Sequence, residues 1–262
     1  MPVTAKLEGE KYNKIKSILV TQPKPDVKSP YFALAQKYGI QVDFREFTHV
    51  EPFDAKEIRR QKVNPGEYSA VILNSKNAVD HFFRCCKEMR VLMSEDTKYF
   101  CLTESIANYL QKFIVYRKRK VFVGTRTIED LKTYLTKHKD KETFLLPCSN
   151  YGAKDLTKYL DELGLKYKEV MMYQTVSSDL SDLSDVTYDV LVFFTPQAIN
   201  SLYENFPTFA QNETRIAVSG NQTATAVRDR GLSINIQPST DVPSMPMALE
   251  NYIKISIKEL SV

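Results

Sequence analysis

Glycine is scarce in this chain, with eight in 262 residues, and that scarcity excludes whole classes of site. There is no G-x-G-x-x-G and no G-x-x-x-x-G-K-[ST], so neither a dinucleotide nor a P-loop phosphate has its usual cradle. There is no G-x-S-x-G elbow and no H-E-x-x-H pair of zinc ligands. Cysteine and histidine are just as thin. Cys85, Cys86, Cys101 and Cys148 include no C-x-x-C spacing, so a zinc site and a disulfide framework are both unexpected. Reduced thiols are the simple account, and Cys148 in LLPCSN reads as a buried or loop thiol. His49, His81 and His138 are scattered, which argues against a metal cluster. No apolar run approaches the ~18–20 residues of a bilayer span, so no membrane partner is expected. The opening stretch MPVTAKLEGEKYNKIK lacks the apolar core of a secretory signal, and Glu8 and Glu10 argue against a transit peptide. It reads as a short disordered lead in a cytoplasmic protein.

Charge of one sign is lacking too. A net charge of +4 is a mild bias. It suits a small anionic ligand at least as well as nucleic acid, and no nucleic-acid partner is expected. The one dense basic run, YRKRK at 116–120, is flanked by apolar segments instead of being interleaved with stacking aromatics. It reads as a solvated loop, with an anion-contacting edge as the alternative.

What the chain does contain is alternation. Its 43% apolar and 26% charged residues are those of a soluble globular protein long enough for two domains. Strands are predicted at 17–22, 40–48, 69–73, 98–102, 120–123, 143–146, 166–175, 189–194, 214–218 and 232–236. Between and around them helices are predicted at 28–38, 54–62, 76–92, 104–113, 127–138, 152–163, 196–206, 221–230 and about 245–259. SSDLSDLSD at 177–185 reads as a connector. Alternating strands and helices imply parallel sheets with helices on both faces.

The pattern is also written twice. YSAVILNSKNAVDHFF begins at Tyr68 and YDVLVFFTPQAINSLY at Tyr188, each an apolar strand turning into a helix through a hydroxyl residue, Ser75 or Thr195. ALAQKYGIQVDFREFT and YLDELGLKYKEVMMYQT repeat a helix that stops at glycine and leaves on a strand. The chain therefore holds two copies of one α/β unit.

The repeated strand-to-helix corners are the candidate site. Ser75 and Thr195 sit at N-cap positions, followed by Lys76 and Pro196; Ser219, Gly220 and Thr223 mark a third corner. Helix N-termini carry unpaired N–H groups and partial positive charge, which hold carboxylates or phosphates. Capping alone also explains a hydroxyl at any one corner. In open α/β sheets such corners line the ligand crevice.

These residues resemble those of the uroporphyrinogen-III synthase family. The stretch 145–176, LLPCSNYGAKDLTKYLDELGLKYKEVMMYQTV, is similar to that family's strand, Pro-Cys/Gly-x-Asn-type loop, helix ending L-x-x-x-G and strand closing on V-Y-x-T. DVLVFFTPQAINSL resembles its strand with F-[TS]-S-P, AVSGNQTATAVRDRGL its V-G-x-x-T-A segment, and STDVPSMPMAL its closing T-x-x-A-L. The resemblance implies two similar α/β domains, each a parallel sheet with helices on both faces, joined by a two-stranded connector, with the active site in the cleft between them. Domain one would be 17–47 with 178–262, and domain two, inserted, 53–171. The implied reaction cyclises hydroxymethylbilane to uroporphyrinogen III with inversion of ring D through a spiro intermediate and loss of water, in a monomer with no metal and no organic cofactor.

Carried over residue by residue, Tyr173 matches the tyrosine that assists departure of the hydroxyl, although a core or connector tyrosine would look the same. Asn150, Thr195, Pro196, Ser219, Gly220 and Thr223 match substrate-binding positions, and Ser75 does so with Lys76 where proline is usual. Ser105 is a looser counterpart, because CLTESIA lacks both the glycine and the T-A pair. That departure leaves room for a family member that binds a tetrapyrrole or another polycarboxylate without turning it over. A periplasmic-type two-domain binding protein is a third reading, and the missing signal counts against it.

Overall fold

Short apolar runs become strands and the amphipathic stretches between them become helices. The structure, a computed structural model, describes residues 12–25, 28–151 and 153–260. The expected N-terminal lead lies outside the described residues up to residue 11. Along the chain the elements run β1 (Ser17–Val20), α1 (Pro30–Tyr38), β2 (Gln41–Phe44), β3 (Thr48–Pro52), α2 (Ala55–Arg60), β4 (Ala70–Leu73), α3 (Lys76–Met89), β5 (Lys98–Cys101), α4 (Glu104–Leu110), β6 (Val121–Val123) and α5 (Lys132–His138). They continue with β7 (Phe144–Ser149), α6 (Lys154–Glu162), β8 (Tyr167–Ser177), β9 (Val190–Phe193), α7 (Pro196–Asn205), β10 (Arg215–Val218), α8 (Asn221–Asp229) and α9 (Met245–Glu259).

Local chemistry sets most of these limits. Ser29, Ser75, Thr195 and Ser244 each accept a first-turn N–H at the start of α1, α3, α7 and α9. Proline occupies an early position in three of these helices, where its missing N–H costs nothing. Gly39 and Gly164, at the two matched helix ends, take φ +62° and φ +64°. All four residues of β4 and all four of β9 are buried, as parallel strands covered on both faces require.

The chain divides into two compact units, one made of residues up to His49 together with Val176 onward, the other of Val50–Thr175. The first unit holds a four-stranded sheet of order β10-β9-β1-β2, parallel throughout. Its cores gather Ile18, Val20, Val190 and Leu249 around one cluster and Leu19, Phe193, Ile199 and Ile216 around another. The six-stranded sheet has the order β3-β8-β7-β4-β5-β6, and β8, β7, β4, β5 and β6 pair in parallel. Its clusters form around Val71, Phe82 and Leu145 and around Ile72, Phe100 and Leu146.

Strand order locates a crevice in each sheet. In the first, chain order departs from β1 to β2 on one side and to β9 on the other. In the second it departs from β4 to β5 on one side and to β7 on the other. Ligand crevices of open α/β sheets form at such reversals, outside the carboxyl ends of the strands.

Three predicted elements differ. The run 40–48 is two strands, because Phe47 leaves the alternation to pack edge-on against Phe193, ring centroids 5.9 Å apart. The stretch 232–236 forms no strand, only a single bridge from Ile236 to Ala217. There the Asn235 side chain takes the Ile216 N–H at 2.8 Å, occupying a position that a backbone ladder would use. The helix at 127–138 opens as a tighter 3-10 turn, Ile128–Leu131, where the Asp130 carboxylate accepts from the backbone N–H groups of Thr125, Arg126 and Thr127.

Candidate functional site

At the carboxyl end of β4 the chain enters α3 through Ser75, whose Oγ accepts the Ala78 N–H at 3.1 Å. The same oxygen lies 3.3 Å from the Tyr173 hydroxyl, 98 residues away in the chain. Tyr173 reaches it because β7 and β8 slip register. Cys148 pairs with Met171, but Ser149 pairs with Tyr173, leaving Met172 as an extra residue. A regular strand would aim Tyr173 to the side of the exposed Met171. The bulge instead buries Met172 and Tyr173 in succession. The slipped backbone is held from two directions. Asn150 N–H donates to the Tyr173 carbonyl at 3.2 Å, and Asn150 Oδ1 accepts the Thr175 N–H at 3.0 Å. The Met172 carbonyl accepts from Phe53 N–H at 3.1 Å and from the Arg84 guanidinium at 3.3 Å.

His81, one turn into α3, completes the cluster. Its ring stacks on Tyr173, centroids 4.8 Å apart at 19°. Its Nδ1 accepts from Arg84 Nε at 3.4 Å. Burial and then the neighbouring Arg84 charge hold the imidazole below its ordinary value, so it is neutral at pH 7. Burial pushes the Tyr173 phenol above its ordinary value, so it is protonated and able to donate. Sequence reasoning passed over His81. Helical spacing placed it on the turn after Ser75, but nothing in the sequence brought Tyr173 to that turn.

Lys76 and Ser105 do not join the cluster. Lys76 is exposed, and its Nζ lies over the Tyr109 ring, 5.6 Å from the centroid. Ser105 is exposed in the first turn of α4, and the cap there is Thr103, whose Oγ1 accepts the Ile106 N–H at 3.4 Å. Glu104 adds negative charge at the same turn.

The four-stranded sheet presents its own corners. Thr195 Oγ1 accepts the Ala198 N–H at 3.3 Å, and Pro196 follows as the first helical residue. Beside it the Ser219 N–H donates to the Phe193 carbonyl at 3.0 Å, so the corners after β9 and β10 are joined. Gly220 begins α8 at φ +86° with no side-chain cap. Its first-turn N–H groups therefore lack the side-chain acceptor that the other corners supply. Thr223, in the first turn of α8, is buried, with 2% of its surface exposed. The backbone N–H groups around Gly220 are therefore the donors this corner offers to an anion.

Taken unit by unit, each crevice edge offers hydroxyls and helix N-termini that suit an anion, and that of the six-stranded sheet adds a buried phenol able to donate a proton. Among the described residues no group of three or more His, Cys, Asp and Glu is placed to hold a metal ion. All four cysteines are buried and free. Burial pushes the Cys86 and Cys101 thiols up to about 12 and raises Cys148 as well, which removes them as nucleophiles at neutral pH.

Comparisons with known proteins bear on the family and the fold. The family model described as Uroporphyrinogen-III synthase HemD matches residues 29–245. No curated protein matches the chain at a significant level. Among solved structures, the chain is similar to uroporphyrinogen-III synthetase from Helicobacter pylori, with 16% identity, 92% of this chain and 100% of that chain covered, and a TM-score of 0.59. It is also similar to a mutant uroporphyrinogen III synthase from the extremely thermophilic bacterium Thermus thermophilus, with 16% identity, 93% and 99% coverage, and a TM-score of 0.55. At that identity the two likenesses speak for the fold. The family rests on the model match, which takes in most of the chain and every candidate residue from Ser75 to Thr223: the chain belongs to the uroporphyrinogen-III synthase family.

Proposed function

We propose that this chain carries out the reaction its family is named for, closing hydroxymethylbilane to uroporphyrinogen III with inversion of ring D and loss of water. It is then a lyase of porphyrin and heme biosynthesis, acting as a cytoplasmic monomer on a small linear tetrapyrrole. We read the two units as the family's two domains.

The observation that carries this reading is the meeting of Tyr173 and Ser75 at the strand-order reversal of the six-stranded sheet. The substrate brings eight carboxylates and much of its own reactivity. What the protein adds is charge-matched positioning of a floppy chain and one proton at the departing group. Backbone N–H groups at Gly220 and the corners at Ser75, Thr195, Pro196 and Ser219 supply the first, with Asn150 fixing the loop beside Tyr173. Tyr173 supplies the second. Its O–H donates to the leaving hydroxyl, which departs as water, and the phenolate recovers a proton released on ring closure. His81 keeps the phenol ring in place without adding charge. Lys76 and Ser105 contribute at the margin, and Glu104 makes the Ser105 corner a poor carboxylate site.

The test is direct. Freshly made hydroxymethylbilane is supplied and the uroporphyrin isomers are resolved after oxidation. Isomer III above the spontaneous isomer I background supports the reading, and isomer I alone removes it.

A further inference from the structure

The basic run at 116–120 has no part in the proposed reaction, yet the structure gives it company. Leu92 is 95% exposed and Val115 81% exposed, the two most exposed large hydrophobic side chains among the described residues. They stand on separate loops, after α3 and before β6, yet both line one cavity of about 440 Å3 walled by Phe83, Met93, Phe113 and Ile114. Phe83 and Phe113 stack 4.8 Å apart at 7°, which gives the two loops a firm base. Thr97 and Lys120, the residues just before β5 and β6, line the same cavity, so it opens at the amino ends of these strands. Ser75 and Tyr173 mark the carboxyl edge of that parallel sheet, so this is a different surface.

Its charge is lopsided. Lys87, Arg90, Lys112, Lys118 and Arg119 are all exposed around the two loops. The acidic side chains of the same loops and of the α3 turn that carries Lys87 are already paired: Glu88 with Arg84 at 2.6 Å, Glu95 with Arg117 at 3.1 Å and Asp96 with Lys120 at 2.7 Å. The remaining charge is positive. Leu92, Val115 and the part-exposed Phe113 line the one cavity, and an apolar patch rimmed by polar residues marks an interaction surface.

We propose that these loops form a peripheral docking surface for an anionic bilayer, with Leu92 and Val115 entering the headgroup boundary and the surrounding lysines and arginines lying among anionic headgroups. Leu92 and Val115, almost fully exposed, share these loops with the part-exposed rings of Phe113 and Tyr116 and with exposed cations, and an apolar tip among positive charge matches the boundary of an anionic bilayer. The cavity between them has room for part of an acyl chain. The expectation of no membrane partner rested on the lack of an apolar span, and a surface contact needs none. The proposal does not rest on the assigned reaction.

Flotation of the full chain with phosphatidylcholine vesicles, with and without phosphatidylserine, tests it. The bound fraction should be about tenfold higher on the anionic vesicles and should fall as salt is raised. Leu92→Glu with Val115→Glu should cut binding about tenfold, as should Lys118→Glu with Arg119→Glu, while isomer III formation and the melting temperature stay as in the parent chain. Leu92→Ser with Val115→Ser, which adds no charge, should cut binding too. Equal binding to both vesicle types, no binding, or undiminished binding by the Leu92 and Val115 variants overturns the proposal. So does a parent chain that is dimeric in solution and made monomeric by the same changes, because the surface then belongs to a second copy.

Discussion

Tyr173 owes its place to one extra residue in a strand. The bulge at Met172 turns the phenol inward, Ser75 meets its hydroxyl, and His81 covers its face. If the phenol donates the proton, removing its oxygen should act on the chemical step. Tyr173→Phe keeps the ring and its stacking, so kcat should fall about 100-fold while product affinity changes by less than about threefold. Equal losses in both would reduce Tyr173 to a wall of the pocket. Thr223 lies at the other extreme. Its hydroxyl is buried in the first turn of α8, and valine has nearly its shape. Thr223→Val should leave product affinity within about twofold by equilibrium titration, since the backbone N–H groups at Gly220 remain. A larger loss would return that hydroxyl to the site.

At the scale of elements, the corners divide by how they are capped. α3 and α7 spend a hydroxyl on their first turn, whereas α8 begins at a glycine and has no side-chain acceptor for its first-turn N–H groups. Elsewhere helices are tied to each other by charge. Glu250 on α9 accepts from Lys37 Nζ at 2.6 Å and Tyr38 OH at 3.0 Å on α1, and pairs with Lys254 at 3.1 Å. Its hydrogen bonds to Lys37 and then Lys254 hold the carboxyl down at about 2, below its ordinary 4.5. A depressed carboxyl stabilises the fold fully above its unfolded value, and that contribution is lost as pH falls toward the folded one. Glu250→Gln should therefore lower the melting temperature by about 2 °C at pH 7, a modest shift because the pair is partly exposed. The difference should shrink between pH 4.5 and pH 2. A difference that persists unchanged at the lowest pH would place the effect in packing, not in charge.

At the scale of the whole molecule, the two units differ in how they are strung. Val50–Thr175 is one continuous stretch, with its own sheet and clusters built around Phe82 and Phe100. The other unit is assembled from both ends of the chain. A fragment of residues 50–175 should therefore fold alone, giving α/β circular dichroism and one cooperative melt. A fragment without cooperative unfolding would show that this unit needs the rest of the chain.

Much of this was legible before any coordinates. Continuous apolar runs marked β4 and β9 as buried parallel strands. Hydroxyl residues followed by proline marked helix starts, and Gly39 and Gly164 marked helix ends, because these signals act over one turn of chain. The sequence by itself thus determined the alternating α/β pattern, its repetition and the corners at Ser75, Thr195 and Gly220. Only the tertiary structure decided how those corners are built. It slipped β8 to aim Tyr173 at Ser75, stacked His81 on the phenol, buried Thr223, left Ser105 exposed behind the Thr103 cap, and set Leu92 and Val115 on one cavity. Each of these depends on register or packing between segments far apart in the chain, and a local pattern of residue types carries no record of which distant strand it will pair with or which face it will turn inward.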